Sequence, residues 1–294
     1  MKYVITGSTG HISKPLSVQL IKAGHDVTII SSNHDRVKEI EALGAKASVG
    51  SLEDIAFITK TFEGADAVYT MVPPKWDAQH WKEYIHGIGK NYAAAIKASG
   101  VKKVVNLSSV GAHMPKGCGP VSGIHFVEQE LDALNGVHVL NLRPAYFYYN
   151  LLGNIGMIKH AGIIGGNYGD ITLPMVHPND IAAAAAEELL KLDFKGKSVR
   201  YIVGDERKTS EIAKVLGNAI GKPGLPWIQF KDEDALNGMV QAGLPREIAE
   251  NYVEMGTAIA SGEMSADYNK HKSTLSHIKL EDFAKEFAAA YANS

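Results

Sequence analysis

Residues 2–13, KYVITGSTGHIS, decide the fold. Residues 2–6 form a β-rich run, a Gly-rich turn follows, and PLSVQLIKAG has the apolar spacing of a helix that ends at Gly24. Gly7 permits a tight turn, and Gly10 permits backbone amides to approach a pyrophosphate at the positive end of the helix. Ser13 stands where a third glycine is usual, so we expect slightly wider packing between helix and strand. The stretch predicts a dinucleotide-binding turn.

The same alternation of strand and helix continues along the chain. Short β-rich runs occur at 25–30, 45–50, 67–71, 103–107 and 137–142, and helical patterns occur at 36–44, 52–63, 78–99 and 122–135. Alternating elements of these lengths indicate parallel strands covered by helices on both faces. We therefore predict an α/β protein with a doubly wound, Rossmann-type parallel sheet.

The pattern changes after Arg143 and Pro144. Residues 153–170 are Gly-rich and are predicted as loop, a helix is predicted at 179–192 and a strand at 199–203, and the remainder is mostly helical. We predict an NAD(P)-binding domain over 1–150 and a smaller, mostly helical substrate-side region over 151–294. The chain is expected to cross back to the sheet near 172–203.

Composition excludes several classes of protein. The chain has 30 basic and 32 acidic side chains and no basic stripe, which argues against nucleic-acid binding by a basic surface. One cysteine, Cys118, excludes an internal disulfide and a multi-thiolate zinc site, so we expect a reducing, cytoplasmic location and no metal. No apolar run approaches the ~20 residues of a membrane span.

The end of the second predicted strand bears on the cofactor. An acidic residue there usually binds the ribose of NAD, and this chain instead has Ser31, Ser32 and Asn33, with Arg36 nearby. Hydroxyl, amide and cationic groups suit a 2′-phosphate, so NADP(H) is favoured over NAD(H). Lys14, beside the turn, is a further candidate, whereas Asp35 could neutralise Arg36.

An ordered series of motifs carries a family resemblance. TGSTGHIS, GSLED, AVYTMVPP, VKKVVNLSSVGA, HFVEQEL and NLRPAYFYYNLL together resemble the NmrA-like group of atypical short-chain dehydrogenases/reductases, over nearly the whole chain. The resemblance implies a Rossmann-type domain that binds NAD(P)(H) and a C-terminal region that shapes a substrate cleft. Members include quinone or dye reductases, isoflavone-type reductases and dinucleotide sensors without catalytic activity.

Several site residues follow from the resemblance. Gly7, Thr9, Gly10, His11 and Ile12 match the phosphate turn, and Ser32 replaces an arginine that many relatives use for the 2′-phosphate. The resemblance places Val72 and Pro73 beside the cofactor and Ser108 near the nicotinamide.

The usual catalytic pair of the superfamily is missing. The segment that normally carries Tyr-xxx-Lys has neither residue, and Tyr268 with Lys272 is a coincidence of spacing. His125 falls where quinone-reductase-like relatives carry a histidine, and its imidazole could bond the ribose or assist a proton transfer. His125 is therefore the candidate catalytic residue, against the alternative of a histidine on the helix surface.

Aromatic residues provide candidates for a substrate wall. Tyr146, Tyr148 and Tyr149 follow Arg-Pro at a strand end, and Trp76 follows the Pro73-Pro74 pair. A flat aromatic acceptor would stack on such rings, although about half of them are expected in the core. Cys118 lies in a Gly-rich loop near the cleft and is expected to be inert.

Three functions agree with these patterns to different degrees. The first is an NAD(P)H-dependent oxidoreductase that transfers hydride to a small, planar substrate such as a quinone. The second is a catalytically silent NAD(P)-sensing regulatory protein, favoured by the missing tyrosine. The third, a nucleotide-sugar epimerase-like enzyme, is disfavoured because it needs the Tyr-Lys pair. A homo-oligomer or a regulatory protein partner remains open.

Overall fold

The computed structural model describes residues 1–294 in full. Its twelve strands are β1 (Lys2–Ile5), β2 (Asp26–Ser31), β3 (Lys46–Val49), β4 (Ala67–Thr70), β5 (Lys103–Leu107), β6 (His138–Pro144), β7 (Tyr146–Phe147), β8 (Ile164–Gly166), β9 (Thr172–Val176), β10 (Lys197–Ile202), β11 (Asp205–Lys208) and β12 (Trp227–Gln229). Its twelve α-helices are α1 (Ser13–Lys22), α2 (Val37–Ala42), α3 (Ile55–Phe62), α4 (Trp81–Ser99), α5 (Pro120–Asp132), α6 (Ile155–Ala161), α7 (Pro178–Lys191), α8 (Thr209–Ala219), α9 (Asp232–Gln241), α10 (Arg246–Ala260), α11 (Ala266–Lys270) and α12 (Leu280–Asn293). Three short 3₁₀ helices cover His34–Arg36, Tyr148–Asn154 and Glu263–Ser265.

The main sheet has seven parallel strands in the order β10-β6-β5-β4-β1-β2-β3. The chain first moves from β1 to β2 and β3, and then returns to β4 on the other side of β1. The strand order therefore reverses between β1 and β4, where open α/β sheets bind their ligands beyond the carboxyl ends. The predicted doubly wound, Rossmann-type parallel sheet is confirmed.

Side chains of β1 alternate between the two faces of the sheet. Tyr3 and Ile5 pack with Leu16 of α1 and Ile181 of α7 on one face. Val4 lies on the other face, in the cluster formed with α3, α4 and α5. This period of two requires helices on both faces, because each face of the sheet is apolar and must be buried.

The C-terminal part contains more regular structure than the sequence predicted. The prediction of loop over residues 153–170 is wrong, because this stretch contains α6 and β8, and β8 pairs in parallel with β12. Gly165 is needed for a close approach of strands, since a side chain there would collide with the carbonyl of Ile228. The glycine at position 165 thus allows two strands to lie close together, although a glycine-rich sequence is more typical of turns.

The remaining strands extend this C-terminal structure. β11, β9 and β7 form a second, mixed sheet, and β10 joins the edge of the main sheet beside β6. Residues beyond 150 therefore contribute to the main sheet, while the division at residue 150 stays a prediction. None of the helices has the length and hydropathy that a membrane-spanning segment requires.

Candidate cofactor and substrate site

The turn after β1 requires glycine at its first position. Gly7 has a φ of +91°, and a Cβ at this position would lie 2.5 Å from the Ser13 hydroxyl oxygen and 3.0 Å from the Met71 side chain. The Ser13 hydroxyl donates to the carbonyl of Thr6 at 2.7 Å. Serine in place of the third glycine therefore binds the start of α1 to the end of β1.

The end of the turn presents free donors. The Gly10 amide donates back to the Gly7 carbonyl at 3.2 Å, whereas the amides of His11, Ile12 and Ser13 have no acceptor within the protein. These N–H groups lie at the positive end of α1, so their partial charges add to the helix dipole. The arrangement fits the pyrophosphate of a dinucleotide.

Ser31 supports the turn from inside. Its hydroxyl accepts a hydrogen bond from the Ser8 hydroxyl at 3.0 Å and donates to the Asn33 carbonyl at 3.1 Å, and the residue is buried. Ser8 has a φ of 54°, a strained region for a residue other than glycine. The Ser31 hydroxyl is thus engaged with the protein, whereas Ser32 beside it is exposed.

The two candidate cations share one carboxylate that the sequence analysis missed. Lys14 Nζ lies 2.9 Å from Glu39 Oε1, and Arg36 Nη1 lies 2.7 Å from Glu39 Oε2. The Thr9 hydroxyl donates to the same carboxylate at 3.0 Å. Hydrogen bonds from Lys14, then Arg36, then Thr9 lower the pKa of Glu39 to about 2. The (i, i+3) spacing of Arg36 and Glu39 was the available sequence signal.

The carboxyl end of β4 forms the other side of the crevice. The Met71 amide donates to the Thr6 hydroxyl at 2.9 Å, and the Tyr92 hydroxyl donates to the Met71 carbonyl at 2.7 Å. These bonds fix the backbone that leads into Val72 and Pro73, both of which are half-buried. The two residues lie at the predicted edge of the crevice.

Ser108 directly follows β5, and its side chain points into the protein. Its hydroxyl donates to Glu128 Oε1 of α5 at 2.5 Å, and the residue is buried. Glu128 also accepts from Arg143 Nε at 2.9 Å and from Arg143 Nη2 at 2.6 Å. The contact of Ser108 with the nicotinamide stays a prediction: its hydroxyl is bonded to Glu128, and its amide donates to the carbonyl of Leu142 at 2.8 Å.

Arg143 extends this buried polar network toward the C-terminal part. Its Nη1 lies 3.0 Å from the Tyr201 hydroxyl and 3.0 Å from Asp267 Oδ2. The Tyr201 hydroxyl donates to the same Asp267 oxygen. Ser108, Glu128, Arg143, Tyr201 and Asp267 thus join β5, α5, β6, β10 and α11, a set of partners that sequence reasoning missed.

His125 lies on α5 and is half-buried. Its Nδ1 lies 2.8 Å from the carbonyl of Ala112, so this nitrogen carries the proton and donates. Its ring meets the Phe126 ring edge-on, with 5.1 Å between centroids. The other ring nitrogen, Nε2, has no partner in the protein and is the atom with which His125 would act.

The three candidate tyrosines lie in different environments. Tyr146 is half-buried, whereas Tyr148 is fully buried and stacks on Phe283 with 5.4 Å between centroids. Tyr148 therefore belongs to the core, and the substrate contact predicted for it is wrong. Tyr149 turns to the phosphate turn, where its ring lies 4.6 Å from that of His11. Because a 3₁₀ helix begins at Tyr148, the side chains from Tyr148 onward do not alternate between two faces as those of a strand would.

Trp76 is 49% exposed and belongs to an aromatic wall. Its ring lies 5.7 Å from that of Trp81 and 6.1 Å from that of Tyr252, which the sequence analysis missed because it lies on α10. Burial and the nearby Tyr146 raise the pKa of the Tyr252 hydroxyl. We define the aromatic wall as Trp76, Trp81, Tyr252 and Tyr146.

Two other features are not assigned to this site. Cys118 is fully buried, and burial raises the pKa of its thiol to about 12, so it is a poor nucleophile at neutral pH. A cavity of about 850 Å³ lies between α7, β10 and residues 271–277. It is separate from the crevice between β1 and β4, which we regard as the functional site because the free amides lie there.

Comparisons with known proteins agree with this geometry. Residues 7–132 match the family described as NAD(P)H-binding. A (4-alkanoyl-5-oxo-2,5-dihydrofuran-3-yl)methyl phosphate reductase of Streptomyces griseus is 25% identical over 85% of this chain and 84% of its own. An NAD(P)H azoreductase of Xenophilus azovorans is 23% identical over 98% of this chain and 97% of its own.

A solved structure shares the fold. The NADPH-dependent quinone oxidoreductase of Escherichia coli, crystallised with NADPH, superposes with a TM-score of 0.80 at 21% identity and covers 97% of this chain and 99% of its own. The family match includes the turn, the crevice and all of α5. The match supports an NAD(P)H-binding domain over residues 7–132, in agreement with the resemblance of the chain to the NmrA-like group of atypical short-chain dehydrogenases/reductases.

Proposed function

We propose that the chain is an NADPH-dependent oxidoreductase that reduces a small, planar substrate such as a quinone. One observation carries the proposal: the free amides of His11 and Ile12 lie where the strand order reverses between β1 and β4, and the segment that follows β4 carries the exposed ring of Trp76. The first feature suits a dinucleotide, and the second suits a flat ring that stacks beside it. The azoreductase and quinone oxidoreductase relatives, whose names specify such substrates, support this proposal.

The chain's own residues bind and orient in this proposal. When bound, the dinucleotide supplies the hydride, and reduction of a quinone needs one further proton, which water can donate. The turn holds the pyrophosphate, and the exposed ring of Trp76 in the aromatic wall holds the substrate ring in stacking contact. Val72, Pro73 and the backbone of Ser108 exclude water at the carboxyl ends of β4 and β5.

The absence of a Tyr-Lys pair favours this substrate class. α5 contains neither tyrosine nor lysine, so a protonating phenol of the usual kind is missing. An alcohol dehydrogenase or an epimerase needs such a group, whereas reduction of a quinone does not. We propose that His125 positions the cofactor or substrate through Nε2 and contributes modestly to the rate.

The preference for NADPH is part of the proposal. Lys14 and Arg36 are the two cations beside the turn, and Ser32 is exposed next to them. A 2′-phosphate would replace their present partner, Glu39, and gain two charge-assisted contacts. The NADPH bound to the E. coli neighbour agrees with this choice.

A silent NAD(P)-sensing protein is the second candidate. The engaged hydroxyl of Ser108 favours it, because this side chain cannot assist a reaction without leaving Glu128. A sensor would act through a protein partner, and a homo-oligomer agrees with either function. A reductase would oxidise NADPH when it is given a substrate, whereas a sensor would bind NADPH without oxidising it.

An acceptor screen tests the proposal. Oxidation of NADPH is followed with quinones, azo dyes and triphenylmethane dyes, and we expect turnover that depends on the acceptor. Trp76→Ala should raise KM for that acceptor about tenfold and leave NADPH affinity unchanged. Leu190→Ala, which removes an exposed apolar side chain on α7, is the control. Tight binding of NADPH without turnover on any acceptor would favour the sensor.

A further inference from the structure

Glu39 is the one carboxylate that contacts both candidate cations and the phosphate turn. It pairs with Lys14 at 2.9 Å and with Arg36 at 2.7 Å, and it accepts from the Thr9 hydroxyl at 3.0 Å. Its side chain is 32% exposed, against 46% for Lys14 and 53% for Arg36. The carboxylate is therefore the inner member of the group, and the two cations lie outside it.

These contacts fix the charge that a nucleotide would meet. Two cations and one anion leave a single net positive charge, whereas a 2′-phosphate carries about two negative charges near neutral pH. Such a phosphate is attracted by Lys14 and Arg36 and repelled by Glu39. The 2′-hydroxyl of NADH carries no charge, so these groups neither attract nor repel it as an ion and act on it only through hydrogen bonds.

From this arrangement we propose that Glu39 determines cofactor specificity, because it competes with the 2′-phosphate of NADPH for Lys14 and Arg36. The competition reduces the factor by which NADPH binds more tightly than NADH. The proposal rests on the proposed function only in requiring that NADPH binds at the phosphate turn. Thr9 gives Glu39 this role, because its hydroxyl holds the carboxylate against the turn that receives the cofactor.

Neighbouring acids do not have this geometry. Asp35 directly precedes Arg36 but forms no ion pair with it; its amide donates to the side-chain oxygen of Asn33 at 2.8 Å. Glu41 lies on α2, two residues beyond Glu39, and is exposed without an ion pair. Glu41→Gln therefore changes the same net charge on the same helix and is the matched control.

The test compares nucleotide affinities. Dissociation constants for NADPH, NADH and adenosine 2′,5′-bisphosphate are measured by calorimetry on the full chain, for wild type, Glu39→Gln and Glu41→Gln. We expect Glu39→Gln to lower the dissociation constants of NADPH and of the bisphosphate about tenfold. The dissociation constant of NADH should change less than about twofold. Glu41→Gln should change none of the three by more than about twofold.

Other outcomes overturn the proposal in distinct ways. Equal changes for NADPH and NADH would make Glu39 a structural support of the turn, and weaker NADH binding would make it a ligand of the ribose hydroxyls. A double-mutant cycle adds a second readout: Lys14→Met should cost more NADPH affinity with Gln at position 39 than with Glu, and additive effects would contradict competition. Turnover is not measured, so a failure to reduce quinones leaves this test intact.

Discussion

The ring of His11 stands edge-on to the ring of Tyr149, with 4.6 Å between their centroids and an angle of 78°. Tyr149 in turn donates to Glu286 of α12 at 3.0 Å. His177 lies 3.2 Å from the same carboxylate through Nε2, which carries the proton because Nδ1 accepts from the Asn179 amide. Tyr149 therefore connects α12 to the phosphate turn: its hydroxyl bonds to Glu286 and its ring contacts His11.

This contact predicts that Tyr149→Ala weakens NADPH binding. Loss of the ring removes the support of His11, and an aromatic contact of this kind is worth ~0.5–1.5 kcal/mol, which corresponds to about three- to tenfold in affinity. Tyr149→Phe keeps the ring and should bind NADPH like wild type. Calorimetric titration measures both, and equal affinities for all three proteins would remove Tyr149 from the site.

Gly10→Val should abolish dinucleotide binding while the protein stays folded. A Cβ at Gly10 would lie 3.1 Å from the carbonyl of Gly7, and the branches of valine would occupy the space in front of the free amides. Gly87→Val is the control, because a Cβ at this position of α4 meets no atom within 4 Å. Circular dichroism checks folding, and a folded Gly10→Val protein with unchanged NADPH affinity would refute the assignment of the turn.

His125→Ala should lower kcat/KM for a quinone by about three- to tenfold, the cost of one positioning hydrogen bond. A general acid would give a larger loss, of about 10²-fold or more. His86→Ala is the matched control, since His86 stacks on the same Phe126 ring with 5.0 Å between centroids but belongs to α4. Steady-state kinetics measures kcat/KM for wild type and both variants, and thermal unfolding checks that the three proteins are equally stable. An unchanged kcat/KM in His125→Ala would show that His125 is a surface residue without a function.

Asp267 should contribute to acid sensitivity of the fold. Its pKa lies below the usual value chiefly because the Tyr201 hydroxyl donates to it, and the Arg143 guanidinium acts in the same direction. A carboxyl with a lower pKa in the folded state stabilises the protein above its unfolded pKa of ~3.9, and this stabilisation is lost as the pH falls through the folded value.

The corresponding experiment uses Asp267→Asn. The difference in free energy of unfolding between wild type and this variant should be constant above about pH 5 and should shrink below about pH 4. Asp193→Asn, which removes an exposed aspartate after α7, gives the background. A difference that is independent of pH over this range would show that Asp267 acts through packing alone.

The sequence predicted what depends on local patterns. The turn from Gly7 to Ser13 and the strands of the main sheet follow from short-range spacing, and the structure confirms the fold they imply. Glu39 was missed because its contact with Thr9 spans 30 residues and depends on how α2 lies against the turn. The core position of Tyr148 was missed because a 3₁₀ helix replaces a strand there.

Longer-range polar contacts were equally hidden. Glu128 and Arg143 occur in motifs that the sequence analysis quoted, but their pairing joins a helix to the next strand in the buried interior. No local spacing distinguishes such a pair from two exposed charges. The Ser108 hydroxyl points inward because it donates to Glu128 of this pair. The sequence therefore could not show whether that hydroxyl faces the cofactor or the protein interior.

A single-turnover experiment tests the central claim most directly. The protein is loaded with NADPH that carries deuterium on one or the other face of C4, mixed with an excess of the best quinone from the screen, and NADPH oxidation is followed by rapid mixing. The proposed hydride transfer predicts that each bound NADPH is oxidised once and that deuterium on only one of the two faces slows the step. Bound NADPH that persists with every acceptor, or NADP⁺ that retains deuterium equally from the two labelled faces, would contradict direct hydride transfer from one face of the cofactor.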